Sequence, residues 1–405
     1  MLVSSLRPKP TRGNRVVILV ENLPSPFDRR VWQEATTLHE AGYQVSIICP
    51  TGKGHESTYE FLEGVHIHRY RLPAEGDGPM GYLVEYSSAL WNTFRLARKV
   101  RRQRGFDIVH ACNPPDLLFL VGGFYKLTGN RRFVFDHHDI NPELYEAKFN
   151  KRGPMWKLMV LLEHLTFRCA DMSIATNESY RRIAIERGGM DPDKVHVVRS
   201  GPKLERLERL PPVPELRNGR RYLVGYVGVM GAQEGIDLLL EAVRHIVVER
   251  GRSDVHFGLV GGGTSLESMK QLAVELGVGD HVTFTGRVPD REMLEMLNTA
   301  DVCVNPDVAN EMNDKSTMNK IMEYMALAKP IVQFDLTEGR FSAGAASLYA
   351  RRNDPNDLAD KILELLDDPE QRRKMGEFGR SRVENELAWT YEAPKLLDAY
   401  QSLDT

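Results

Sequence analysis

Residues 314–330 read DKSTMNKIMEYMALAKP, a polar stretch that becomes amphipathic and leads into the apolar segment Ile331–Asp335. We interpret it as a loop, a helix and then a buried strand. Asn319 and Lys320 lie at the start of the helix, and Glu323 follows one turn later. The N-terminus of a helix offers unpaired N–H groups that suit a phosphate, and a glutamate can accept hydrogen bonds from a ribose diol. The stretch therefore predicts a nucleotide diphosphate site, or alternatively an ordinary capped amphipathic helix.

Apolar runs of strand length alternate with helix-length segments along the chain. Continuous β-branched runs of this kind indicate parallel strands that are covered on both faces. The alternation occurs twice, which predicts two doubly wound, Rossmann-like α/β domains facing a cleft at the carboxyl ends of their strands. The predicted strands are Val16–Val20, Val45–Cys49, His66–Tyr70, Asp107–Ala111, Phe133–Asp136, Asp171–Ala175, Val195–Val198, Tyr222–Val227, Val255–Val260, Val282–Thr285, Asp301–Val304, Ile331–Asp335 and Ser347–Ala350.

A stretch rich in proline and charge, residues 201–220, separates the two halves of this pattern. A chain of 405 residues also exceeds what one hydrophobic core usually supports. We predict a loose tail over residues 1–15, a first domain over 16–205 and a linker over 206–220. A second domain should cover 221–385, and a helix over 386–405 should pack back on the first domain.

The composition, with 42% apolar and 27% charged residues, is that of an ordinary soluble globular protein. The four cysteines have neither paired nor metal-binding spacing, so we expect reduced thiols in a cytoplasmic protein. We expect no signal peptide, and no apolar run approaches the roughly 20 residues needed to cross a bilayer. No aromatic-interleaved basic strand or known nucleic-acid-binding module is present, so nucleic acid is not an expected partner.

The charge is distributed unevenly. Residues 1–205 hold 29 Lys and Arg against 23 Asp and Glu, whereas the remainder hold 24 against 33. The segment Trp91–Arg104 is strongly basic, and Trp156–Phe167 is very apolar. Together they predict either a peripheral contact with an anionic membrane at the inner face of the plasma membrane, or one solvated and one buried helix.

Glycines mark the ends of three consecutive predicted strands in the second domain. Gly228, Gly231 and Gly235 follow the first strand, Gly261–Gly263 follow the second, and Gly286 precedes Arg287 at the third. Glycines there let a phosphate or sugar approach backbone N–H groups closely. Each cluster alone is more typical of a plain strand-to-helix turn, and the spacing is not that of a dinucleotide-binding fingerprint.

Taken together, these glycines, the segment Asp301–Pro306 and the run from Asn319 to Glu323 resemble the second domain of family 4 retaining glycosyltransferases, which have the GT-B fold. The resemblance extends over nearly the whole chain and is strongest over residues 222–335. It implies a nucleotide-sugar donor whose ribose is held by Glu323. The other residues that it places around the donor are Gly231, Gly262, Arg287 and Val288 in the loops at strand ends, and Met318 and Asn319 at the diphosphate.

Three positions depart from the pattern of that family. Lys315 stands where the first glutamate of the family's Glu-x7-Glu motif is expected, and Val229 and Glu234 replace an arginine and a lysine. A leaving diphosphate needs nearby positive charge. We therefore predict that Lys315 and Lys320 supply it from the opposite side of the site, and that Asp314 contacts the hydroxyls of the donor sugar.

In the first domain, a loop after the first predicted strand leads into a helix near Asp28. Arg29 is either a ligand of the donor phosphate or acceptor, or part of a solvated helix face. Four polar residues, Asp136–Asp139, end a buried strand, which is costly unless they are used. Alternation places Asp136 and His138 on one face, and the resemblance implies that His138 contacts a sugar. We assign His138, Asp139, Arg29 and Lys320 to catalysis.

The resemblance implies transfer of a hexosyl-type sugar, with retention, from a nucleoside diphosphate to a polysaccharide or lipid-linked acceptor of bacterial type. It implies no cofactor and no metal, and the His137-His138-Asp139 spacing is poor for zinc. Two alternatives stay open. One is a sugar-nucleotide epimerase or phosphorylase of the same fold, and the other is a non-catalytic protein that binds a nucleotide sugar or a partner.

Overall fold

The protein is described by a computed structural model that covers residues 13–72 and 78–404. Side chains are described for all of these residues except 78–83 and 404. It divides into two compact units. One comprises the chain up to Ser200 together with the segment from Glu392 onward, and the other comprises Gly201–Tyr391. Residues 1–12 of the predicted N-terminal tail lie outside the described residues.

The first unit is built on an eight-stranded sheet in the order β3-β4-β2-β1-β5-β6-β7-β8. All neighbouring strands are parallel except β3 and β4, which form an antiparallel pair at one edge. The strands are β1 Arg15–Leu19, β2 Gln44–Pro50, β3 Tyr59–Leu62, β4 Val65–Tyr70, β5 Ile108–Cys112, β6 Arg132–His137, β7 Met172–Ala175 and β8 Val195–Val197.

The second unit is built on a six-stranded, fully parallel sheet in the order β11-β10-β9-β12-β13-β14. Nearly every residue of its central strands is buried, because helices cover both faces. The strands are β9 Tyr222–Val227, β10 Val255–Val260, β11 Val282–Gly286, β12 Val302–Asn305, β13 Ile331–Phe334 and β14 Ser347–Ala350.

The helices follow the strands in the alternating order expected of doubly wound domains. Several begin at an aspartate or asparagine whose side chain accepts a backbone N–H, as Asp28 and Asp354 do. In the first unit they are α1 Arg29–Glu40, α2 Gly78–Gln103, α3 Phe119–Gly129, α4 Asn141–Phe149, α5 Pro154–Cys169 and α6 Glu178–Glu186. In the second they are α7 Ile236–Arg244, α8 Leu266–Glu275, α9 Asp290–Thr299, α10 Glu311–Lys315, α11 Asn319–Ala326, α12 Thr337–Ala343, α13 Pro355–Asp367 and α14 Pro369–Arg382, and α15 Trp389–Gln401 ends in the first unit.

All thirteen strands predicted from the sequence are present, each within two residues of its predicted ends. The prediction missed β3, which is an edge strand with alternating exposed residues. It also placed a loop before α11 where the short helix α10 forms, because Asn310 caps that helix through the N–H of Asn313. The second unit begins at Gly201, earlier than the predicted linker over 206–220, and two short 3-10 turns lie within this stretch.

The loop between β9 and α7 depends on one glycine. Gly235 has φ of +61°, and a Cβ there would lie 2.0 Å from the carbonyl oxygen of Pro306. The same loop is tied to this region by a bond from Val308 N to Gln233 O, 3.0 Å long. Only glycine therefore allows the β9–α7 loop to lie against residues 306–308.

We expect Gly235→Ala to lower the free energy of unfolding by about 2–4 kcal/mol, because positive φ and a backbone clash both penalise the methyl group. Gly277→Ala is the matched control, since Gly277 has φ of +72° and a Cβ added there would meet nothing within 4 Å. Thermal unfolding followed by circular dichroism measures both. Equal losses in the two variants would contradict the steric argument.

Candidate active site

A polar cluster surrounds Lys320 at the strand ends of the second unit. Lys320 is in the first turn of α11, and its Nζ lies 2.7 Å from Asp307 Oδ1 and 5.0 Å from the centre of the Tyr226 ring. Burial alone lowers the pKa of Lys320, but Asp307 and then Tyr226 raise it by more, so its pKa lies above the ordinary value. The lysine is therefore a partly buried cation at the start of a helix, with its side chain 12% exposed.

Glu234 adds a second carboxylate to this Lys320 cluster. Its Oε2 accepts the N–H of Gly231 at 2.9 Å, which closes the turn before α7. Burial raises the pKa of Glu234, Lys320 lowers it, and Asp307 raises it again. One lysine thus interacts with two carboxylates, so the cluster attracts groups that donate hydrogen bonds as well as anions that reach Lys320.

The glycine-rich loops meet beside the Lys320 cluster. Met230 N donates to the carbonyl oxygen of Gly262 at 3.1 Å, and a Cβ on Gly262 would lie 3.9 Å from the backbone nitrogen of Arg287. Gly231, Gly262 and Arg287 are therefore close together, as the sequence pattern requires. Val288 and Met318 are partly buried against the apolar cluster formed by α9 and α11.

Glu323 lies on α11, one turn after Lys320. Its Oε1 accepts from Arg206 Nη2 at 2.6 Å, and Arg206 also contacts Asp290 Oδ2 at 3.2 Å. The arginine fixes the orientation of the Glu323 carboxylate and links α11 to the start of α9. Arg206 lies in the segment that the sequence predicts to be a linker. No sequence motif indicates its contact with Glu323.

Asp314 and Lys315 lie on α10. Asp314 bonds to residues at α12 and beyond, whereas Lys315 bonds within α10. Asp314 accepts from Thr337 N at 3.0 Å and from Arg352 Nη2 at 2.7 Å. Lys315 donates to Glu311 at 2.5 Å in an exposed pair four residues apart. These contacts stabilise α10 and connect it to the start of α12.

A second polar cluster, the Asp136 cluster, lies at the ends of β5 and β6 in the first unit. Asp136 is fully buried, and its Oδ1 accepts from Arg30 Nη2 at 2.9 Å. His138 Nε2 forms a short contact with the other carboxylate oxygen of Asp136. Burial raises the pKa of Asp136, but Arg30 and His138 lower it by more, so the net pKa lies well below the ordinary value.

Arg30 is the buried arginine of the Asp136 cluster, and Arg29 is exposed. Besides Asp136, Arg30 Nη2 contacts Glu34 Oε1 at 3.0 Å, and Arg30 Nη1 donates to Val198 O at 2.9 Å. Burial raises the pKa of Glu34 above its ordinary range. The sequence predicts a role for Arg29, but the structure buries its neighbour Arg30 instead. The Asp28 cap fixes where α1 begins and therefore which of the two arginines faces the sheet.

The peptide that carries His138 and Asp139 is held by Asn113. Asn113 Oδ1 accepts the N–H groups of His138 at 2.7 Å and Asp139 at 3.1 Å, and its Nδ2 donates to the Asp139 carbonyl at 2.6 Å. His138 is thus fixed through its backbone by Asn113 and through its ring by Asp136, while the side chain stays partly accessible. A histidine held in this way can hydrogen-bond a sugar hydroxyl in a fixed orientation.

His137 lies on the opposite face of β6, as strand alternation predicts. It packs on the rings of Tyr180 and Phe167, with centroid separations of 4.9 and 5.2 Å. Burial, followed by the positive charge of Arg187, lowers the pKa of His137 to about 3. It is therefore a neutral packing residue.

Two triads in the Asp136 cluster have donor atoms within 4.8 Å of one another, His110–Cys112–Asp136 and Glu34–Asp136–His138. Both include Asp136, whose carboxylate is already paired with the Arg30 guanidinium. A metal ion would lie beside this fixed positive charge, and burial raises the pKa of the Cys112 thiol well above its ordinary value. The donor set therefore suits an ion-pair network better than a metal.

The segment beyond Glu392 reaches the Asp136 cluster through Tyr400, whose hydroxyl lies 2.5 Å from His110 Nδ1. Burial lowers the pKa of His110, so the ring is neutral. His110 Nε2 lies 3.4 Å from Asp136 Oδ2, which favours the tautomer with the proton on Nε2. Tyr400 then donates to Nδ1.

Glu21 follows β1 and is 4% exposed, and the structure records no hydrogen bond to its Oε1 from the described residues. Burial, and then repulsion by Glu85, raises the pKa of Glu21 to about 8. The sequence predicts Tyr400 only as an apolar anchor of the C-terminal helix, and it does not indicate Glu21. Burial of a glutamate and a hydrogen-bond partner 290 residues away leave no local pattern.

We expect Tyr400→Phe to destabilise the protein by about 1–3 kcal/mol, because it leaves buried His110 Nδ1 without a donor. Tyr391→Phe is the control from the same helix, where the hydroxyl bonds to Glu384 O at an exposed site. Chemical denaturation of both variants tests this. Losses of the same size would show that the His110 bond contributes little.

Glu21 should make stability depend on pH. Folded Glu21 holds its proton up to about pH 8, whereas an unfolded glutamate loses it near pH 4.5. The contribution of Glu21 to the free energy of unfolding is therefore fully present below pH 4.5. It declines as the pH rises above 4.5 and is lost once the pH passes about 8. Relative to wild type, Glu21→Gln should gain up to about 5 kcal/mol between pH 4.5 and 8. Glu267→Gln, at an exposed position, controls for loss of a glutamate, and a gain independent of pH would refute the assignment.

Two family models match the chain. Glycosyltransferase Family 4 matches residues 28–206, and Glycosyl transferases group 1 matches residues 221–368. Among curated proteins, D-inositol 3-phosphate glycosyltransferase of Corynebacterium urealyticum is 27% identical over 261 residues, which cover 61% of this chain and 57% of that protein. Alpha-maltose-1-phosphate synthase of Mycolicibacterium smegmatis is 25% identical over 311 residues, 70% of this chain and 76% of that protein. The chain thus spans somewhat more than half the length of the first of these relatives.

Solved structures share the fold over nearly the full length. Sucrose-phosphate synthase from Thermosynechococcus elongatus superposes with a TM-score of 0.79 at 19% identity, covering 96% of this chain and 99% of that one. HepE from Anabaena, in complex with UDP and glucose, superposes with a TM-score of 0.74 at 15% identity, covering 96% and 99%. With two parallel-sheet α/β units and both family models, the chain belongs to the family 4 glycosyltransferases and has the GT-B fold.

Proposed function

We propose that this glycosyltransferase transfers a hexosyl-type sugar, with retention of configuration, from a nucleoside diphosphate to a saccharide or lipid-linked acceptor. The single observation that carries the proposal is the partly buried Lys320, held by Asp307 at the start of α11 beside the glycine-rich loops. A charge fixed in this position can stabilise the diphosphate as it leaves. HepE, a structural neighbour, binds UDP and glucose, which supports a nucleotide-sugar donor.

In this proposal each residue has a defined task. Lys320 neutralises the leaving diphosphate, and the backbone N–H groups of Met318, Asn319 and Gly262 surround it. Gly231 lies in the same loop, where its own N–H is donated to Glu234. Glu323 accepts the ribose hydroxyls while Arg206 keeps its carboxylate oriented. Arg287 and Val288 line the loop for the base, and His138, beside Asp139, binds a sugar hydroxyl.

Arg29, Asp314 and Lys315 take a smaller part in the proposal. All three are near the surface, and Asp314 and Lys315 bond to Arg352 and Glu311. Arg29 could contribute only by approaching a bound substrate from solvent, and Arg30 is the arginine that fixes the Asp136 cluster. We therefore assign Lys320, and not Lys315, as the main positive charge for the donor.

The proposed chemistry needs no metal or other cofactor. The leaving diphosphate accepts the proton of the acceptor hydroxyl on the face from which it departs, so configuration is retained. The enzyme contributes orientation and charge stabilisation. We place the reaction in the cytoplasm, with an acceptor at the inner face of the plasma membrane. Among the described residues, no helix is long and apolar enough to cross a bilayer.

A non-catalytic nucleotide-sugar-binding protein is the second candidate, and one observation favours it. Glu234 stands where the family pattern has a lysine, and its carboxylate accepts the Gly231 N–H that would otherwise bind a phosphate. A panel of UDP-, GDP-, dTDP- and ADP-sugars separates the two functions. Thermal shift detects binding, and nucleotide release in the presence of saccharide and lipid-linked acceptors detects turnover. Binding without release for every pair would favour the second candidate.

We expect Lys320→Ala to reduce nucleotide release about 10²–10³-fold, because one charge contact to the leaving group is lost. Since this variant leaves Asp307 buried without its cation, the double variant Lys320→Met/Asp307→Asn is measured beside it and should lose activity while keeping more of the stability. Lys270→Ala, which removes an exposed lysine paired with Glu267, is the matched control. Unchanged release in both Lys320 variants would refute the assignment.

A further inference from the structure

A continuous face of the first unit, formed by α2, α3 and α5, exposes apolar side chains. On α3 and α5 they recur every three or four residues, so each helix presents one apolar stripe to solvent. Leu127 is 89% exposed and Trp91 on α2 is 69% exposed. The exposed apolar residues of this α2–α3–α5 face are Trp91, Leu120, Phe124, Leu127, Met155, Leu158, Leu161 and Leu165.

The three helices lie side by side in one layer. Phe94 of α2 packs against Phe124 of α3 with ring centroids 5.0 Å apart. On the other side of α3, Lys126 Nζ donates to the carbonyl oxygen of Cys169 at the end of α5, at 2.8 Å. Gly123 lets α3 and α5 approach closely, because a Cβ there would meet Cys169 Sγ at 2.8 Å. The stripes therefore belong to one surface.

The same face is strongly basic. Arg95, Arg98 and Arg102 lie on one side of α2, three and four residues apart, and Arg101 lies over the ring of Tyr125 on α3. Over residues 84–103, 119–129 and 154–169 there are eight Lys and Arg against two glutamates. One of the two, Glu163, is buried and paired with Arg187. The exposed charge is thus almost entirely positive.

We propose that the α2–α3–α5 face binds the surface of a bilayer that contains anionic phospholipid. Scattered exposed apolar residues are normal in a monomeric protein, but eight on three packed helices form an extended patch. An apolar stripe flanked by arginines suits the boundary between acyl chains and anionic headgroups, where each basic residue adds attraction. The binding needs no turnover, and it rests on the proposed function only for the expectation that the acceptor carries a lipid.

Flotation of the full chain with vesicles tests the proposal. Vesicles of phosphatidylcholine alone are compared with vesicles containing about 30% phosphatidylglycerol, which provides an anionic surface, at about 0.05 and 0.5 M salt. We expect binding to the anionic vesicles at low salt, with at least a roughly tenfold loss at high salt or on neutral vesicles. Equal binding under all conditions, or none, would overturn the proposal.

Two surface variants locate the contact. Arg98→Glu/Arg102→Glu should weaken partitioning by about 30-fold or more, because both charges are reversed near the headgroups. Leu127→Glu/Leu161→Glu should weaken it by about tenfold or more, because apolar area no longer enters the membrane. Lys270→Glu/Arg291→Glu and Val274→Glu alter exposed positions of the second unit and are the matched controls.

Sedimentation of each variant distinguishes a lipid surface from a second copy of the chain. A dimer that dissociates in Leu127→Glu/Leu161→Glu, with no vesicle binding by wild type, would assign the face to self-association and overturn the proposal. Nucleotide binding without vesicles is measured in parallel. It should be unchanged in the surface variants, so a failure of the membrane proposal and a failure of the proposed transferase activity give different results.

Discussion

Parallel strands covered by helices on both faces confine polar chemistry to the places where the strands end. In both units the central strands are buried along nearly their whole length, so a charged side chain within the sheet needs a partner of opposite charge. The Asp136 cluster and the Lys320 cluster both obey this constraint. Each lies at a strand end, and each is built from groups that the neighbouring loops bring together.

The two clusters share an electrostatic design. Arg30 interacts with Asp136 and Glu34 in the first unit, and Lys320 interacts with Asp307 and Glu234 in the second. One cation among two carboxylates is stable when one carboxylate is protonated or when a ligand donates hydrogen bonds. Burial is the largest cause that raises the pKa of Glu34 and of Glu234, and the second carboxylate of each cluster raises it further. Sugar hydroxyls, which donate readily, suit both environments.

The sequence predicts those features of the fold and the site whose causes lie in neighbouring residues. Buried strands are legible because their apolar residues are continuous, whereas the edge strand β3 alternates and was missed. The glycine loops lie close together because strand order brings the ends of neighbouring parallel strands to one edge of the sheet. The sequence indicates Arg29 and not Arg30. Adjacent residues of a helix point in directions about 100° apart, so one can be buried while the next is exposed. The Tyr400–His110 contact joins residues 290 positions apart and leaves no local signal.

The charge changes in the donor region are physically linked. Relative to the family pattern, position 234 carries glutamate in place of lysine, and Lys320 supplies a cation from α11. Because Glu234 and Lys320 attract each other within one partly buried cluster, a lysine at 234 would place two cations beside a single Asp307. Like charges in a poorly solvated site repel strongly, so a lysine at 320 favours an acid at 234. In the proposed function, the cation that faces the diphosphate therefore lies at the start of α11 and not in the β9–α7 loop. Under that proposal, Lys320 supplies the positive charge that the family pattern places at position 234, and Glu234 balances it.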